Sequence, residues 1–328
     1  MAQRRFTSRH SRTILLYHID RLTSTRDCGC VRRERGNAPQ PKAAGNHERH
    51  SMILEQPASW NARSQELSAF GLEITAEQNA SLESVTPELL TSLLTKHSVV
   101  VFRGFAPIND KGEFSGVCQA WGELLSWGFG MVFEVTEHPE PKNYLFTNGA
   151  VPYHWDGAFA EKAPWLQVFH CREAPGEEVG GETIFCDTAA LWRSLTQEQQ
   201  QRWRSVVVEY ATEKIAHYGG NIRAPLVDRH PINGETVLRF AEPANAETVD
   251  LNTPELTIEG VAEDGVDDFL GELVGLLYDA RFTYSHRWRA GDFVIADNHR
   301  VLHGRNPYSP NRPRRLWRVH VLSQEKPS

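Results

Sequence analysis

The spacing of apolar positions changes several times along the chain after residue 52, and each change predicts an element. Thr86 and Pro87 suit the N-cap and first position of a helix, which is predicted to run to about residue 96. The apolar run over residues 99–102 predicts a buried strand. A further helix is predicted over residues 112–125, because apolar side chains recur there three and four positions apart.

Short apolar stretches with turn residues between them dominate the second half and predict strands. Asn233-Gly234 stands between two of these stretches and is a strong hairpin signal. The predicted strands cover residues 72–74, 99–102, 167–170, 183–186, 228–231, 237–240, 293–296, 301–303 and 316–322, and further helices cover residues 189–206 and 266–278. This pattern predicts a mainly β fold with flanking helices, a double-stranded β-helix or jelly roll.

Charge divides the 328-residue chain near residue 51. The net charge is +7 over residues 1–51 and −14 over the remainder. Because the basic segment has no sustained apolar period, it is predicted to be a disordered or mis-called extension, with an organelle transit peptide as the alternative. Residues 52–328 are predicted to form a single jelly-roll domain, and we expect removal of residues 1–51 to leave its fold intact.

Composition excludes several classes of partner. The chain is 40% hydrophobic and 23% charged, which is typical of a globular protein. No apolar run approaches the roughly 20 residues that span a bilayer, and the acidic body is unsuited to nucleic-acid phosphates. We therefore expect a small-molecule substrate, with neither a membrane nor a nucleic acid as partner. Five cysteines without metal-ribbon spacing favour reduced thiols in the cytoplasm.

The candidate chemistry begins at His154 and Asp156. Residues two apart on a strand face the same side, so an imidazole and a carboxylate can reach one point, although a charge-paired surface dyad has the same pattern. His303 follows 149 residues later, on a strand that a jelly roll can fold back beside the first. Two imidazoles and a carboxylate on one face of an octahedral ion leave three positions open, as in non-haem Fe(II) oxygenases.

Two arginines near the C-terminus are candidates for binding anions. Arg314 and Arg318 share a face of an extended strand, whereas Arg315 is expected to point elsewhere. The planar guanidinium matches a carboxylate where an ammonium supplies only a point charge. A 2-oxo acid can chelate the metal through two oxygens, so we expect an arginine of this face to bind its far carboxylate; an exposed basic strand is the alternative.

These motifs together resemble the TauD/TfdA superfamily of iron- and 2-oxoglutarate-dependent oxygenases over most of residues 70–323. The matching stretches are Val100-Val101-Phe102-Arg103-Gly104-Phe105, His154-Trp155-Asp156, Gly180-Gly181-Glu182-Thr183, Arg229-His230-Pro231 with Asn233-Gly234, and His303 with Arg314 and Arg318. Further stretches resemble the PvcB/IsnB-type members, which act on the isonitrile of tyrosine or a similar aromatic amino acid. They are Tyr153-His154-Trp155-Asp156-Gly157, Gln167-Val168-Phe169-His170-Cys171 with Ala174-Pro175-Gly176, Ala216-His217-Tyr218, His286-Arg287-Trp288-Arg289, and Ile295-Ala296-Asp297-Asn298 through Leu302-His303-Gly304-Arg305.

The resemblance implies a catalytic domain that uses Fe(II), 2-oxoglutarate and O2 in secondary metabolism. It implies iron ligands at His154, Asp156 and His303, and 2-oxoglutarate binding by Thr183 and Arg314. It further implies that Arg318 contacts the substrate carboxylate or the near end of the co-substrate. His217 and Tyr218 are candidates for the substrate pocket, with a place in the core as the alternative reading.

The implied reaction is a decarboxylative desaturation of an aromatic amino-acid isonitrile to a vinyl isonitrile. A TauD-like hydroxylase of another small carboxylate or sulfonate is an alternative with the same ligand set. A zinc hydrolase is disfavoured, because the His-Glu-x-x-His pattern is absent from the sequence. A non-redox jelly-roll binding protein is the alternative from another class, and the loss of any one ligand residue would have favoured it.

Overall fold

The computed structural model describes residues 60–128, 130–141, 144–176, 179–215, 218–243, 254–310 and 312–323. The predicted boundary at residue 51 and Cys28 and Cys30 therefore lie outside the described residues. The three cysteines within them, Cys118, Cys171 and Cys186, are buried free thiols, as the sequence predicted. Among the described helices, none is long and apolar enough to cross a membrane.

The described residues form sixteen strands and five α-helices. The strands are β1 (Ala62–Glu66), β2 (Leu72–Ala80), β3 (Val99–Phe105), β4 (Phe133–Val135), β5 (Val151–His154), β6 (Leu166–Glu173), β7 (Thr183–Asp187), β8 (Val207–Ile215), β9 (Tyr218–Pro225), β10 (Val227–Arg229), β11 (Thr236–Leu238), β12 (Glu255–Glu259), β13 (Thr283–His286), β14 (Phe293–Asp297), β15 (Val301–Arg305) and β16 (Arg315–Val321). The helices are α1 (Pro87–His97), α2 (Lys111–Gln119), α3 (Thr188–Ser194), α4 (Gln197–Arg204) and α5 (Val266–Leu277).

Two facing sheets make the jelly roll. The larger has seven strands in the order β1-β2-β3-β14-β6-β16-β4, and the smaller has four in the order β13-β7-β15-β5. All the strand pairs within them are antiparallel except β2 with β3. A three-stranded sheet β12-β8-β9 and the hairpin β10-β11 complete the described sheets, and this hairpin spans the predicted Asn233-Gly234 turn. The predicted mainly β jelly roll is confirmed.

Alternation along the strands divides the interior into three apolar layers. On β3, Val99 and Val101 face the space between the two sheets, whereas Val100 and Phe102 pack in the layer that contains the buried residues of α1 and α2. On β7, Phe185 faces the same inter-sheet space, and Ile184 packs in a layer with α3, α4 and α5. Side chains two residues from an inter-sheet position share that face. Thr183 on β7 and His303 on β15 are therefore directed between the sheets.

Helix α1 begins where the sequence predicts. The Thr86 side chain accepts a hydrogen bond from Leu89 N, and Pro87 occupies the first position, where a missing N–H costs nothing. The helix buries Leu90, Leu93 and Leu94, which are three and four residues apart, in the layer beneath the seven-stranded sheet.

Helix α2 is shorter than predicted, since it ends at Gln119 rather than near residue 125. The following residues pair with β16 instead: Leu125 N donates to His320 O at 3.0 Å, and Leu124 forms a β-bridge with Val321. The apolar spacing is genuine, but Leu124 and Leu125 at its end pair with a strand almost two hundred residues away and do not continue the helix. Long-range hydrogen bonding has overridden the local period.

The helix predicted over residues 189–206 is two helices. The chain breaks at Leu195, whose ψ of 146° is extended, and α4 begins again after Thr196. Thr196 and Gln199 form a reciprocal capping box, in which each side chain accepts from the backbone N–H of the other residue. The box supplies partners for two N–H groups at the start of α4, so a second helix begins there, and it buries Trp203.

Candidate metal and co-substrate site

Three side chains converge at one end of the space between the sheets. His154 and His303 are directly opposite each other on the paired strands β5 and β15, with ring centroids 4.2 Å apart. Asp156 joins them, and one potential ligand atom from each residue lies within 4.8 Å of the others. The structure thus brings together the three predicted metal ligands, which are separated by up to 149 residues in sequence.

Asp156 does not lie on the strand, contrary to the sequence argument, because β5 ends at His154. A turn delivers the carboxylate instead, and Asn298 fixes that turn: its Oδ1 accepts from Asp156 N and its Nδ2 donates to Asp156 O, both at 3.0 Å. Gly157 follows with φ of +82°, and a Cβ there would lie 2.5 Å from the side chain of Pro164. Only glycine fits this bend without displacing Pro164.

One oxygen of the Asp156 carboxylate is already occupied. Oδ2 accepts hydrogen bonds from Gln167 Nε2 at 2.9 Å, Arg318 Nη1 at 2.8 Å and His320 Nε2 at 2.7 Å. Oδ1 accepts none of these three bonds and lies 3.7 Å from His154 Nε2, whereas His303 Nε2 lies 3.7 Å from Oδ2. With three donors on one oxygen, the carboxylate presents the other as its ligand atom.

The protonation of the three side chains fits a divalent cation. Burial alone would raise the pKa of Asp156, but the Arg318 guanidinium holds it well below its usual range. Burial and the adjacent His154 lower the pKa of His303 well below its ordinary value, so this imidazole is neutral. His154 Nδ1 lies 2.9 Å from Pro152 O, which can only accept, so Nδ1 carries the hydrogen and Nε2 has a free lone pair. One carboxylate and two imidazoles suit Fe(II).

Arg314 presents an uncompensated positive charge beside this site. It is 4% exposed; its Nε donates to Gly181 O at 2.8 Å and its Nη2 to Thr183 Oγ1 at 3.2 Å. No acidic side chain of the described residues forms an ion pair with it, and burial lowers its pKa to about 9. A buried guanidinium without a counter-ion is stabilised by an anionic ligand.

The turn that carries Gly181 and Thr183 needs glycine. Gly180 has φ of +84°, and a Cβ there would lie 2.1 Å from Pro307 O, which excludes any other residue without a backbone shift. This close approach lets Gly181 N donate to Pro307 O at 3.2 Å and starts β7 at Thr183. This turn therefore places the Gly181 carbonyl and the Thr183 hydroxyl against Arg314.

A pocket connects the metal and anion positions. Arg305, two residues after His303, donates to the backbone oxygens of Leu145, Thr147 and Gly149 and so fixes the loop before β5. The residues that line the pocket are Val135, Leu145, Val151, His154, Phe169, Thr183, His303, Gly304, Arg305, Arg314, Leu316 and Arg318. A carboxylate-bearing ligand with an apolar body matches this mixture of arginine and aliphatic walls.

Arg314 and Arg318 both line this pocket, so the predicted shared face is correct, although β16 starts only at Arg315. Arg315 points elsewhere, as expected, and pairs with Glu173 at 2.5 Å. Arg318 has a contact that the sequence argument missed, its 2.8 Å bond to the Asp156 carboxylate. Its guanidinium also lies 5.1 Å from the Phe133 ring centroid. Arg318 therefore links the metal site to the pocket wall.

The remaining predicted substrate residues are not located by the structure. His217 lies outside the described residues, and Tyr218 is described only as the backbone start of β9. Sequence reasoning also missed Gln167, Asn298 and His320. The two-residue strand period could have found His320, because it shares a face with Arg314 and Arg318.

We expect His320 to hold Asp156 in place for metal binding. Trp127 Nε1 donates to His320 Nδ1 at 3.2 Å, which leaves the hydrogen on Nε2, directed at Asp156 Oδ2. Outer partners of metal ligands typically contribute 10- to 100-fold in affinity, so His320→Leu should weaken Fe(II) binding by about that factor. His320→Gln retains an N–H donor and should keep most of the affinity.

Anaerobic Fe(II) titration of each purified variant measures this effect. The matched control is His97→Leu, which removes another buried imidazole, at the end of α1, and should leave Fe(II) affinity unchanged. Equal Fe(II) affinity in wild type and His320→Leu would show that the other two donors suffice to orient Asp156.

A jelly roll with two histidines and a carboxylate facing one point, next to a buried anion site, defines a non-haem iron oxygenase. The chain belongs to the taurine catabolism dioxygenase TauD, TfdA family, whose model matches residues 61–320. It is an Fe(II)- and 2-oxoglutarate-dependent dioxygenase, as the sequence predicted.

Several proteins to which this chain is similar are named for the synthesis or desaturation of isonitriles. The 3-((Z)-2-isocyanoethenyl)-1H-indole synthase of Fischerella ambigua is 43% identical over 273 residues, covering 83% of this chain and 99% of that protein. Tyrosine isonitrile desaturase of Pseudomonas aeruginosa is 37% identical over 236 residues, covering 72% of this chain and 81% of that protein. The solved structure of PvcB, described as an Fe, alpha-ketoglutarate dependent oxygenase from an isonitrile synthetic pathway, matches with a TM-score of 0.68 and 32% identity over 82% of this chain and 93% of that chain.

Proposed function

We propose that this enzyme converts the isonitrile of an aromatic amino acid into a vinyl isonitrile by decarboxylative desaturation. The observation that carries the proposal is one pocket in which the His154, Asp156 and His303 cluster lies beside the uncompensated guanidinium of Arg314. This arrangement suits an enzyme that binds a 2-oxo acid at the metal and a second carboxylate-bearing molecule beside it. The named relatives, an indole vinyl isonitrile synthase and a tyrosine isonitrile desaturase, support the identity of the other.

His154 Nε2, His303 and Asp156 Oδ1 would hold Fe(II). Arg314, fixed by Gly181 O, would bind the far carboxylate of 2-oxoglutarate through its remaining N–H groups, with the Thr183 hydroxyl as a second donor. Arg318 would contact the carboxylate of the amino-acid isonitrile or the near end of the co-substrate. These assignments use a bidentate donor for a carboxylate and neutral imidazoles for the metal.

When bound, the iron with 2-oxoglutarate and O2 supplies a two-electron oxidation of the substrate and releases succinate, CO2 and water. The substrate loses one benzylic hydrogen and its carboxylate as CO2, and the electron pair of the broken carbon–carbon bond completes the new double bond. Arg318 has to hold the carboxylate while the benzylic carbon faces the metal. The aliphatic walls, including Val135, Leu145 and Leu316, exclude water and pack against the apolar body of the substrate.

An aromatic ring is the expected body of the substrate, and either indole or phenol is compatible with the relatives. The relative with the printed indole product is 43% identical and the tyrosine isonitrile desaturase 37% identical. We therefore expect turnover of the tryptophan-derived isonitrile, with the tyrosine-derived isonitrile as the comparison substrate. The buried free thiols support the proposed cytoplasmic location.

The first test is anaerobic addition of Fe(II) and 2-oxoglutarate to the purified protein. We expect a visible metal-to-ligand charge-transfer band, because a chelated 2-oxo acid on Fe(II) produces one. With O2 and the isonitrile acid, succinate and a vinyl isonitrile should then appear in equal amounts by mass spectrometry. The Arg315→Lys variant, altered at an arginine outside the pocket, is the matched control and should behave as wild type.

A hydroxylated product that keeps its carboxylate would contradict the desaturation and support a TauD-like hydroxylase. The same ligand cluster serves both reactions, so only the mass of the product separates them. Absence of the charge-transfer band would contradict the proposed chelate itself and favour a non-redox binding protein.

A further inference from the structure

Thr183 Oγ1 accepts two hydrogen bonds from nitrogen donors. Trp288 Nε1 lies 3.0 Å from it and Arg314 Nη2 lies 3.2 Å from it. Both nitrogens are donors only, because an indole N–H and a guanidinium have no lone pair to offer. A hydroxyl oxygen has two lone pairs and one hydrogen. Both lone pairs of Thr183 Oγ1 are therefore engaged.

The direction of the remaining hydrogen follows from this count. With both lone pairs occupied, the Thr183 hydroxyl can act only as a donor toward a third group. The hydrogen bonds of the described residues supply no acceptor for it, and Thr183 lines the same pocket as Arg314 and His303. A buried donor without a protein acceptor is stabilised by a ligand that provides one.

We propose that Trp288 is a positioning residue that fixes the Thr183 hydroxyl as a donor to the far carboxylate of 2-oxoglutarate. The inference rests on the proposed binding of the co-substrate by Thr183 and Arg314 and adds the residue that sets the direction of that bond. Arg314 alone engages only one lone pair. Without Trp288 the hydroxyl can rotate, and its hydrogen is free to turn away from the pocket.

Packing holds the indole in the required place. Trp288 is 6% exposed and lies just beyond the end of β13. Its ring contacts the His286 ring edge-on, with ring centroids 4.5 Å apart and an interplanar angle of 84°. The Phe169 ring centroid lies 6.0 Å from that of Trp288. Phe169 itself lines the pocket. The indole N–H is thus pre-set before any ligand binds, which lowers the entropy cost of orienting the hydroxyl.

The test is an anaerobic titration of the Fe(II) protein with 2-oxoglutarate, followed by the charge-transfer band. Loss of one net hydrogen bond corresponds to about a 3- to 10-fold change in affinity. Trp288→Phe should raise the half-saturating 2-oxoglutarate concentration by about this factor and leave Fe(II) affinity unchanged. Trp288→His keeps a ring N–H and should recover part of the loss.

A double-mutant cycle tests whether Trp288 acts on 2-oxoglutarate binding through the Thr183 hydroxyl. Thr183→Val removes the hydroxyl, so adding Trp288→Phe to it should produce little further change in 2-oxoglutarate affinity. With 2-oxopentanoate, which lacks the far carboxylate, wild type and Trp288→Phe should titrate alike. The matched control is Trp203→Phe, because Trp203 is a fully buried indole whose Nε1 has no partner among the described residues.

The outcomes distinguish this inference from the function on which it rests. A wild-type protein without the charge-transfer band would overturn the proposed function. A wild-type band together with unchanged 2-oxoglutarate affinity in Trp288→Phe would overturn the role of Trp288 alone, and so would equal losses with 2-oxoglutarate and 2-oxopentanoate. If Trp288→Phe fails to fold, Trp288→His is compared with wild type instead. A loss of affinity for 2-oxoglutarate but not for 2-oxopentanoate would support the role of Trp288, and equal losses with both would overturn it.

Discussion

Alanine at His154 or His303 is expected to abolish iron binding and turnover. Each imidazole supplies one of three donor groups at a single point, and no other His, Cys, Asp or Glu of the described residues joins the cluster. Removing a donor should cost at least the roughly 100-fold that outer partners can contribute, and product formation should fall to the level without enzyme. Fe(II) titration and succinate release measure the two effects separately.

Asp156→Ala is expected to lose the metal as well, but with an added cost to the fold. The N–H groups of Arg318 and His320 that now donate to Asp156 would be left facing a void, and unsatisfied buried donors typically cost about 1–3 kcal/mol each. Thermal melts should therefore fall for Asp156→Ala by more than for either histidine variant. His97→Leu, which should leave Fe(II) affinity unchanged, again serves as the control for metal binding. Full turnover in any of the three alanine variants would refute the assignment of the ligands.

Arg314→Lys is expected to raise the 2-oxoglutarate requirement by about 10- to 100-fold. The guanidinium donates to Gly181 O and Thr183 Oγ1 and still has N–H groups for a carboxylate, whereas an ammonium cannot reproduce this fork. Hydrogen bonds to charged groups contribute about 1.5–3 kcal/mol, which corresponds to that change. The half-saturating 2-oxoglutarate concentration, read from the charge-transfer band, is the measurement.

Arg318→Ala is expected to act on the substrate and on coupling. Arg318 contacts the Asp156 carboxylate, so its loss should also weaken Fe(II) binding, which Arg314→Lys should not do. Succinate should continue to form while the vinyl product falls, and the two are quantified in the same reaction. The two roles would be reversed if Arg314→Lys left the dependence on 2-oxoglutarate unchanged while Arg318→Ala abolished it. Arg315→Lys, on the same strand but paired with Glu173, is the control.

The sequence predicted nine of the sixteen described strands, because short apolar runs between turn residues indicate buried strands. Val99 to Phe102 alternate between two apolar layers, and the Asn233-Gly234 turn lies in the predicted hairpin. The same two-residue period placed Arg314 and Arg318 on one face, and the structure finds both in the pocket. These features depend on side chains close in sequence, for which local geometry leaves few choices.

Helix ends were less predictable, because they depend on partners far along the chain. The helix over residues 112–125 continues its apolar period, but the pairing of Leu125 with the His320 carbonyl ends α2 at Gln119. A capping box at Thr196 divides the other helix, and that signal, a Thr three residues before Gln199, was present in the sequence.

By itself the sequence determined the fold class, the residue types of the metal cluster and the shared face of the two arginines. Only the tertiary structure decided how those residues act. It placed Asp156 in a turn held by Asn298, 142 residues away, and engaged one carboxylate oxygen with His320, 164 residues away. Periodicity reports which face of an element is buried, but hydrogen bonds between distant elements exist only after the chain has closed those loops. The partners of Asp156 and Thr183 were therefore fixed by folding, and they set which atoms face the metal and the co-substrate.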